Sequence, residues 1–218
     1  MQANEYSSRD ELLKRFQARE QAKLRVYIAA APGAGKTYRM LEEAHRLKRE
    51  GIDIVIGVIE THGRADTKTM VGDLECIPMS RLHSHGVVVE EMDVEAIIRR
   101  RPAVVIVDEL AYSNKGNSRN KKRYQDVLDL LNNGISVNTA VNIQHLESLN
   151  ELLNTMTDVR EREMVPDHML RRANEIVNVD APVETLLSRR WTVWSAHDIE
   201  ILRELALAQV EVTPGCQA

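Results

Sequence analysis

The sequence predicts an α/β protein in which a mostly parallel sheet lies between two layers of helices. Short runs of apolar residues recur along the 218-residue chain with little polar alternation, which is typical of strands that are buried on both faces. Segments with apolar residues at helical spacing separate these runs. This alternation indicates parallel strands that are joined by crossover helices, and therefore a three-layer α/β/α fold.

The chain is expected to contain an N-terminal helix at 1–23, a main domain at 24–180 and a small helical extension at 181–218. A Ser-x-x-Glu sequence that begins at Ser8 has the form of a capping box and predicts the start of the first helix. After Pro182, two short helical patterns replace the alternation of strands and helices. The extension is therefore predicted to be helical.

Glycine and proline residues divide the main domain into its predicted elements. Gly51, Pro102 and Gly134 each follow a helical pattern, where glycine and proline commonly end a helix. The predicted strands cover 24–28, 54–59, 87–89, 104–107, 137–143 and 176–179. The predicted helices cover 36–50, 92–101, 122–132 and 145–156 in the main domain, and 182–190 and 199–210 in the extension.

The composition excludes several classes of protein. The net charge of −4 and an aromatic content of 4% argue against a nucleic-acid partner. The two cysteines, Cys76 and Cys216, are far apart in the sequence, which excludes a disulfide framework and fits a cytoplasmic location. Because no run of 18 apolar residues occurs, we expect no membrane span in this chain.

A small-residue loop between the first strand and its helix predicts a phosphate-binding site. The sequence Ala30–Thr37 (AAPGAGKT) has the Walker A pattern, with alanine in place of the first glycine. Backbone N–H groups of such a loop surround a phosphate, and the following helix directs its positive end toward it. The expected nucleotide-binding residues are Pro32, Gly33, Ala34, Gly35, Lys36 and Thr37. The sequence thus predicts a P-loop NTPase-like fold that binds ATP.

Two carboxylates complete the predicted nucleotide site. Asp108 and Glu109 directly follow the apolar strand at 104–107, as in a Walker B element. We expect Asp108 and the Thr37 hydroxyl to hold Mg²⁺, and Glu109 to orient an attacking water as the catalytic residue. The alternative is that these acidic residues only end a strand.

Polar residues at two further strand ends are candidates for a switch or a γ-phosphate sensor. They are Glu60, His62 and Arg64 after the second strand, and Gln144 after the strand at 137–143. Ligands of doubly wound sheets bind at the carboxyl ends of strands, which favours this role. A polar loop or a capped helix start explains the first three residues equally well. The basic run at 119–123 contacts nucleotide or is a solvated loop.

Six segments together resemble the N-terminal cytoplasmic domain of the KdpD family, sensor histidine kinases that govern high-affinity potassium uptake. They lie in the family's order and are Ala30–Tyr38, Gly57–Arg64, Val107–Asn114, Arg123–Val127, Val141–Asn150 and Val165–Asp167. The resemblance implies that ATP at the loop biases the kinase/phosphatase balance of a longer sensor. It also implies, as partners, the other domains of that sensor and its response regulator pathway, and a homodimer formed through the parent protein.

The expected function is therefore that of a regulatory ATP-binding domain, either of a membrane-anchored sensor or as a soluble short form. No segment resembles a phosphoacceptor-histidine helix followed by an ATP lid, so we do not expect this chain to phosphorylate itself on histidine. The first alternative is a self-sufficient P-loop ATPase or small-molecule kinase, and the second is a nucleic-acid-dependent motor core.

Overall fold

The computed structural model describes residues 21–61, 65–84, 87–156, 162–189 and 194–212. Strands and helices alternate over most of this range. The strands are β1 (Leu24–Ala29), β2 (Ile54–Val58), β3 (Glu75–Cys76), β4 (Ser80–Ser84), β5 (Val87–Glu91), β6 (Val104–Val107), β7 (Ser136–Asn142) and β8 (Glu175–Asn178). The α-helices are α1 (Lys36–Arg49), α2 (Ala65–Val71), α3 (Val94–Arg100), α4 (Arg123–Asn132), α5 (Glu147–Met156), α6 (His168–Arg171), α7 (Val183–Ser188) and α8 (Ala196–Val212).

The main sheet has six strands in the order β3-β2-β6-β7-β1-β8, and every neighbouring pair is parallel. Strand β7 therefore lies between β1, which leads into the Ala30–Thr37 loop, and β6, which leads into Asp108. Because all six strands run in one direction, their carboxyl ends meet at one edge of the sheet. The predicted loop and carboxylates are thus placed at the same edge.

Side chains that alternate along the strands pack into two cores on opposite faces of the sheet. On one face, Tyr27, Ile56 and Ile106 pack with Met40 of α1 and the neighbouring helix α2. On the other face, strand residues such as Val105 pack with helices α3 to α8. The predicted three-layer α/β/α fold is confirmed. The extension belongs to the second core, and α8 packs against β8 and β1.

A glycine in the middle of β2 allows α3 to pack closely on the sheet. A Cβ atom at Gly57 would lie 2.9 Å from Ile97 Cδ1 and 3.0 Å from Val105 Cγ2. These separations are shorter than Cβ contacts normally are, so the Ile97 and Val105 side chains would have to shift to accept a larger residue. The glycine that interrupts the apolar run therefore has a packing role.

One predicted strand lies outside the main sheet. The Val87–Val89 run belongs to β5, which pairs with β4 in a separate antiparallel hairpin. Val87 and Val88 are 61% and 52% exposed, so the run is not a buried strand of the parallel sheet. Only a short connection separates β4 from β5, and a parallel pairing would need a crossover of a dozen or more residues.

The other differences concern short elements. The sequence did not indicate α2, β3, β4 or α6.

The predicted first helix at 8–23 falls almost entirely outside the described residues, as do His62 and Arg64. Among the helices that the structure describes, none combines the length and hydropathy required to cross a lipid bilayer.

Candidate functional site

The loop that connects β1 to α1 has the backbone geometry that its glycines allow. Gly33 and Gly35 have φ angles of 88° and 103°, in the left-handed region that side chains disfavour. Gly35 immediately precedes α1, and its carbonyl accepts the amide of Arg39 at 2.9 Å. The loop therefore turns tightly into a 14-residue helix, whose first N–H groups have no intrahelical partner.

A cavity of about 850 Å³ opens over this loop. This volume is within the range of small-molecule sites. Its lining residues are Pro32, Gly33, Ala34, Gly35, Lys36, Thr37, Tyr38, Arg39, Glu42, Thr67, Thr69, Met70, Glu109, Asn142, Val179 and Arg189. All six residues that were predicted to bind nucleotide line this one cavity, together with Glu109.

Hydrogen bonds join the loop to the ends of the two neighbouring strands. Lys36 Nζ donates to Oδ1 of Asn142, the last residue of β7. Thr37 Oγ1 donates to Asp108 Oδ2 at 2.9 Å. The order of strands explains both contacts, because β7 is the neighbour of β1 and β6 is the next strand beyond β7. The lysine, the hydroxyl and the carboxylate thus form one connected polar group beside the cavity.

Asp108 is a buried carboxylate with a raised pKa. Its side chain is 1% exposed, and burial, followed by the nearby charge of Glu109, raises its pKa to about 6. The Thr37 hydroxyl, the Lys36 ammonium and the backbone amide of Glu60 act in the opposite direction. That amide lies 3.3 Å from Asp108 Oδ2, and the amide of Glu109 donates to Oδ1 at 3.0 Å.

Glu109 differs from its neighbour in both exposure and backbone. It is half-buried and lines the cavity, and its φ of 55° places it in the left-handed region. A residue other than glycine held in this region costs about 1 to 3 kcal/mol. The structure therefore directs the two adjacent carboxylates differently, with Asp108 against Thr37 and Glu109 at the cavity.

The Thr37 hydroxyl and the Asp108 carboxylate fit a magnesium ion. Both are hard oxygen donors, which Mg²⁺ prefers, and they are already held 2.9 Å apart. Within the described part of the chain, no group of three or more His, Cys, Asp or Glu side chains could hold a metal ion. An ion here would therefore complete its coordination with phosphate and water, as Mg²⁺ commonly does.

The four residues predicted to act as a switch or sensor do not all lie at the cavity. Glu60 reaches the site through its backbone amide, whereas its side chain does not line the cavity. Gln144 is buried and outside the lining, and its Oε1 accepts the Trp194 indole N–H at 3.2 Å. His62 and Arg64 lie outside the described residues. Their role as a switch or sensor stays a prediction.

Two groups of lining residues were missed by sequence reasoning. Asn142 was not among the predicted site residues, although a polar side chain near the end of the predicted strand at 137–143 was a usable signal. Thr67, Thr69 and Met70 come from the unpredicted helix α2, and Arg189 comes from the extension. Arg189 Nη1 donates to the Gly33 carbonyl across 156 positions of sequence, a contact for which the sequence carries no local signal.

Arg123, in the basic run at 119–123, neither lines the cavity as a nucleotide contact would nor lies in a solvated loop. This residue is 2% exposed, and its Nη1 donates to the backbone carbonyl of Asp108 at 3.1 Å. It lies behind the site and not in the cavity. Arg119 is exposed and pairs with Glu95, as a solvated loop would suggest.

Comparison with known proteins places the chain in a family. Residues 20–192 match the family model described as "KdpD: Osmosensitive K+ channel His kinase sensor domain". The chain is 46% identical over 180 residues to the sensor protein KdpD of Escherichia coli K12, and 46% identical over 170 residues to that of Mycobacterium tuberculosis H37Rv. It is 48% identical over 167 residues to a putative sensor protein KdpD of Synechocystis.

These alignments cover most of this chain and a minor part of each relative. They include 83%, 78% and 77% of the chain, but 20%, 20% and 45% of the respective relatives. The chain thus spans about a fifth of the length of the first two. The family model covers far more than half of the sequence, and the chain belongs to the KdpD family of osmosensitive K+ channel His kinase sensor domains.

Proposed function

We propose that this chain is the regulatory ATP-binding domain of a potassium-responsive sensor histidine kinase. The observation that carries the proposal is the contact between Thr37 and Asp108 beneath a cavity lined by the Ala30–Thr37 loop. A loop hydroxyl and a strand-end carboxylate held together in this way provide the protein oxygens for the magnesium ion of Mg-ATP.

Each part of the loop has a distinct role in binding the phosphates. The amides of the loop and of the first turn of α1 surround them, and the positive end of the helix dipole favours the same charge. Lys36 adds an ammonium group, which on binding exchanges the amide oxygen of Asn142 for a phosphate oxygen. Asp108 and Thr37 would hold Mg²⁺, which would neutralise part of the charge of the phosphates.

Regulation requires that ATP favours one state of the parent sensor over another. The relatives carry the name sensor protein and are longer than the matched region. We therefore propose that the chain acts in the cytoplasm, through further domains of a longer sensor that can dimerise, and that the signal continues to a response regulator. Glu60, His62, Arg64 and Gln144 are the proposed residues that differ between the two states.

Calorimetric titration with Mg-ATP tests the binding step. We expect binding by the wild type, and a loss of at least about tenfold in affinity for Lys36→Ala, because a charge-assisted contact to phosphate is removed. Lys48→Ala is the matched control, since Lys48 is in the same helix but pairs with Asp73 and does not line the cavity. Equal heats for wild type and Lys36→Ala would contradict the proposal.

The position of Glu109 at the cavity favours a second candidate, a self-sufficient ATPase or small-molecule kinase. This function needs the same binding residues and, in addition, turnover. Phosphate release measured over hours distinguishes the two. A rate well above background that Glu109→Gln abolishes would favour the enzyme, whereas binding without turnover favours the regulatory domain.

A further inference from the structure

The residue Arg189 connects the C-terminal extension to the phosphate loop. It directly follows α7, and its guanidinium donates to the Gly33 carbonyl. It also lines the cavity beside Lys36 and Glu109. The extension therefore places a cation at the site that the proposed function assigns to the phosphates.

The hydrogen-bonding state of Arg189 differs from that of the other arginine in the described lining. Arg39 pairs with the Glu42 carboxylate at 2.6 Å. The guanidinium of Arg189 contacts a neutral carbonyl, and no described carboxylate forms a salt bridge with it. A guanidinium has five N–H donors in a planar fork, and among the described residues only the Gly33 carbonyl accepts from Arg189, so the fork can engage another acceptor. A phosphate is a stronger partner than a peptide carbonyl.

A second side chain of the C-terminal extension, that of Trp194, contacts a residue that follows β7. Trp194 donates its indole N–H to Gln144 at 3.2 Å, at the end of β7, and both side chains are buried. Trp194 shares its core with Ile199 and Leu202 of α8. Trp194 lies five positions after Arg189 in the sequence, so its fluorescence reports on the packing of the extension near the end of β7.

We infer that Arg189 binds the terminal phosphate of a nucleoside triphosphate, releasing the Gly33 carbonyl, so that the extension distinguishes triphosphate from diphosphate. The inference rests on the proposed nucleotide site and adds a residue that sets its specificity. A triphosphate carries more negative charge than a diphosphate, and the added charge lies at its terminal phosphate. An arginine there therefore stabilises the triphosphate selectively.

Affinities for two nucleotides test the inference. The affinities for ADP and for the non-hydrolysable analogue AMP-PNP, both with Mg²⁺, are measured by calorimetry for the wild type and Arg189→Ala. We expect roughly a tenfold or greater loss for AMP-PNP and less than about a twofold change for ADP. Arg189→Lys retains part of the discrimination, because it keeps the charge but loses the fork. Arg99→Ala, an exposed arginine on α3 away from the cavity, is the matched control.

The fluorescence of Trp194 provides a second readout. Since the chain has two tryptophans, Trp191→Phe leaves Trp194 as its single reporter. We expect AMP-PNP to change its emission more than ADP does, and Arg189→Ala to remove the difference. Equal losses of affinity for both nucleotides, or a difference in emission that persists in Arg189→Ala, would overturn the inference. If the wild type binds neither nucleotide, the proposed function itself fails, a result distinct from these two.

Discussion

Two buried polar groups lie near the end of β6, and they differ in what their charges contact. The Asp108 cluster consists of Lys36, Thr37, Asp108 and Asn142, and it adjoins the cavity. The Arg123 cluster consists of Glu91, Tyr112 and Arg123, and none of its members lines that cavity. Both contain nearly inaccessible charged side chains, so burial of charge alone does not distinguish a functional site from a structural one.

The Arg123 cluster places its charges against each other, although the buried Nε of Arg123 has no hydrogen-bond partner among the described residues. The Arg123 guanidinium lies 3.9 Å from Glu91 Oε2 and 4.0 Å from the centroid of the Tyr112 ring. Glu91 Oε1 also accepts the Tyr112 hydroxyl at 3.2 Å and the backbone amide of Lys115 at 2.8 Å. Cation, anion and aromatic ring thus neutralise and cover each other, which stabilises the hairpin and the loop behind the site.

The Asp108 cluster, in contrast, includes residues that line the cavity. The negative charge of Asp108 is opposed mainly by a hydroxyl, backbone amides and a lysine that contacts a neutral amide. Burial, followed by the nearby charge of Glu109, raises the pKa of Asp108, and these groups offset only part of that effect. We therefore expect the Arg123 cluster to maintain the fold, and the Asp108 cluster to cost stability that binding of the proposed Mg²⁺ and phosphate would recover. Substitutions in the two clusters should then affect different measurements.

The largest expected effect on stability is that of Arg123→Ala. Removing the guanidinium leaves the Glu91 carboxylate buried without its cation, and such changes cost about 3 to 5 kcal/mol. The measurement is the free energy of unfolding in urea. Arg119→Ala, in the same basic run, is 60% exposed at its side chain and should cost less than about 1 kcal/mol.

A double substitution guards against a variant that does not fold. Arg123→Met together with Glu91→Gln removes both charges, so it should be more stable than Arg123→Ala. Unfolding of Arg123→Ala at the same urea concentration as the wild type would contradict the structural role of this cluster.

The opposite result is expected for Asp108→Asn. This change removes a buried negative charge but keeps an amide oxygen for the Glu109 N–H, so stability should rise by about 1 to 2 kcal/mol. Binding of Mg-ATP should weaken, because the amide is a poorer ligand of Mg²⁺ than the carboxylate. Urea unfolding and calorimetry with and without Mg²⁺ check the two parts. A loss of stability as large as that of Arg123→Ala would remove the distinction between the clusters.

Backbone strain at the site gives a smaller effect with an internal control. Glu109→Gly should stabilise the protein by about 0.5 to 1 kcal/mol, since glycine adopts the left-handed region without a Cβ penalty. Arg101, with a φ of 52° at the end of α3, has the same strain away from the cavity. Arg101→Gly should give a similar gain in unfolding experiments. If the protein hydrolyses ATP, this activity should be lost in Glu109→Gly and kept in Arg101→Gly. Its loss in both variants would show that backbone strain, and not the Glu109 carboxylate, supports hydrolysis.

The parts of the site that the sequence predicted are those made by residues adjacent in the chain. Lys36 and Thr37 follow a small-residue loop, and Asp108 and Glu109 follow an apolar strand, so their placement required only the parallel order of the strands. The lining by Arg189 depends on how the extension packs against the sheet, more than 150 residues from the loop. Local pattern does not encode such a contact.

The same reasoning explains the errors in the fold. The Val87–Val89 run has the composition of a buried strand, but its partner β4 (SRLHS) has little apolar pattern and could not be recognised. Arg123 belongs to a basic run that is otherwise accessible, and only its packing against Tyr112 and Glu91 shows that it is buried. In both cases the environment comes from a segment that the sequence pattern did not reveal.

A third polar group, which joins α1 to β1, tests whether charges away from the cavity affect stability alone. Glu43 pairs with Arg46 at 2.7 Å and with Arg25, and hydrogen bonds from these arginines lower its pKa from 4.5 to about 2. Because the folded pKa is below the unfolded value, Glu43 stabilises the protein fully above pH 4.5. This contribution is lost as the pH falls toward 2.

Glu43→Gln should therefore lower the free energy of unfolding at pH 7, by no more than about 1 kcal/mol because solvent screens the pair. The difference should disappear in acid and shrink in about 1 M salt. Nucleotide affinity should be unchanged, since Glu43 does not line the cavity. Parallel urea titrations of both proteins across this pH range, with calorimetry at pH 7, measure these effects. A pH-independent difference would contradict the assignment of this stabilisation to the Glu43 charge, and a weakened affinity would mean that this group is coupled to the site.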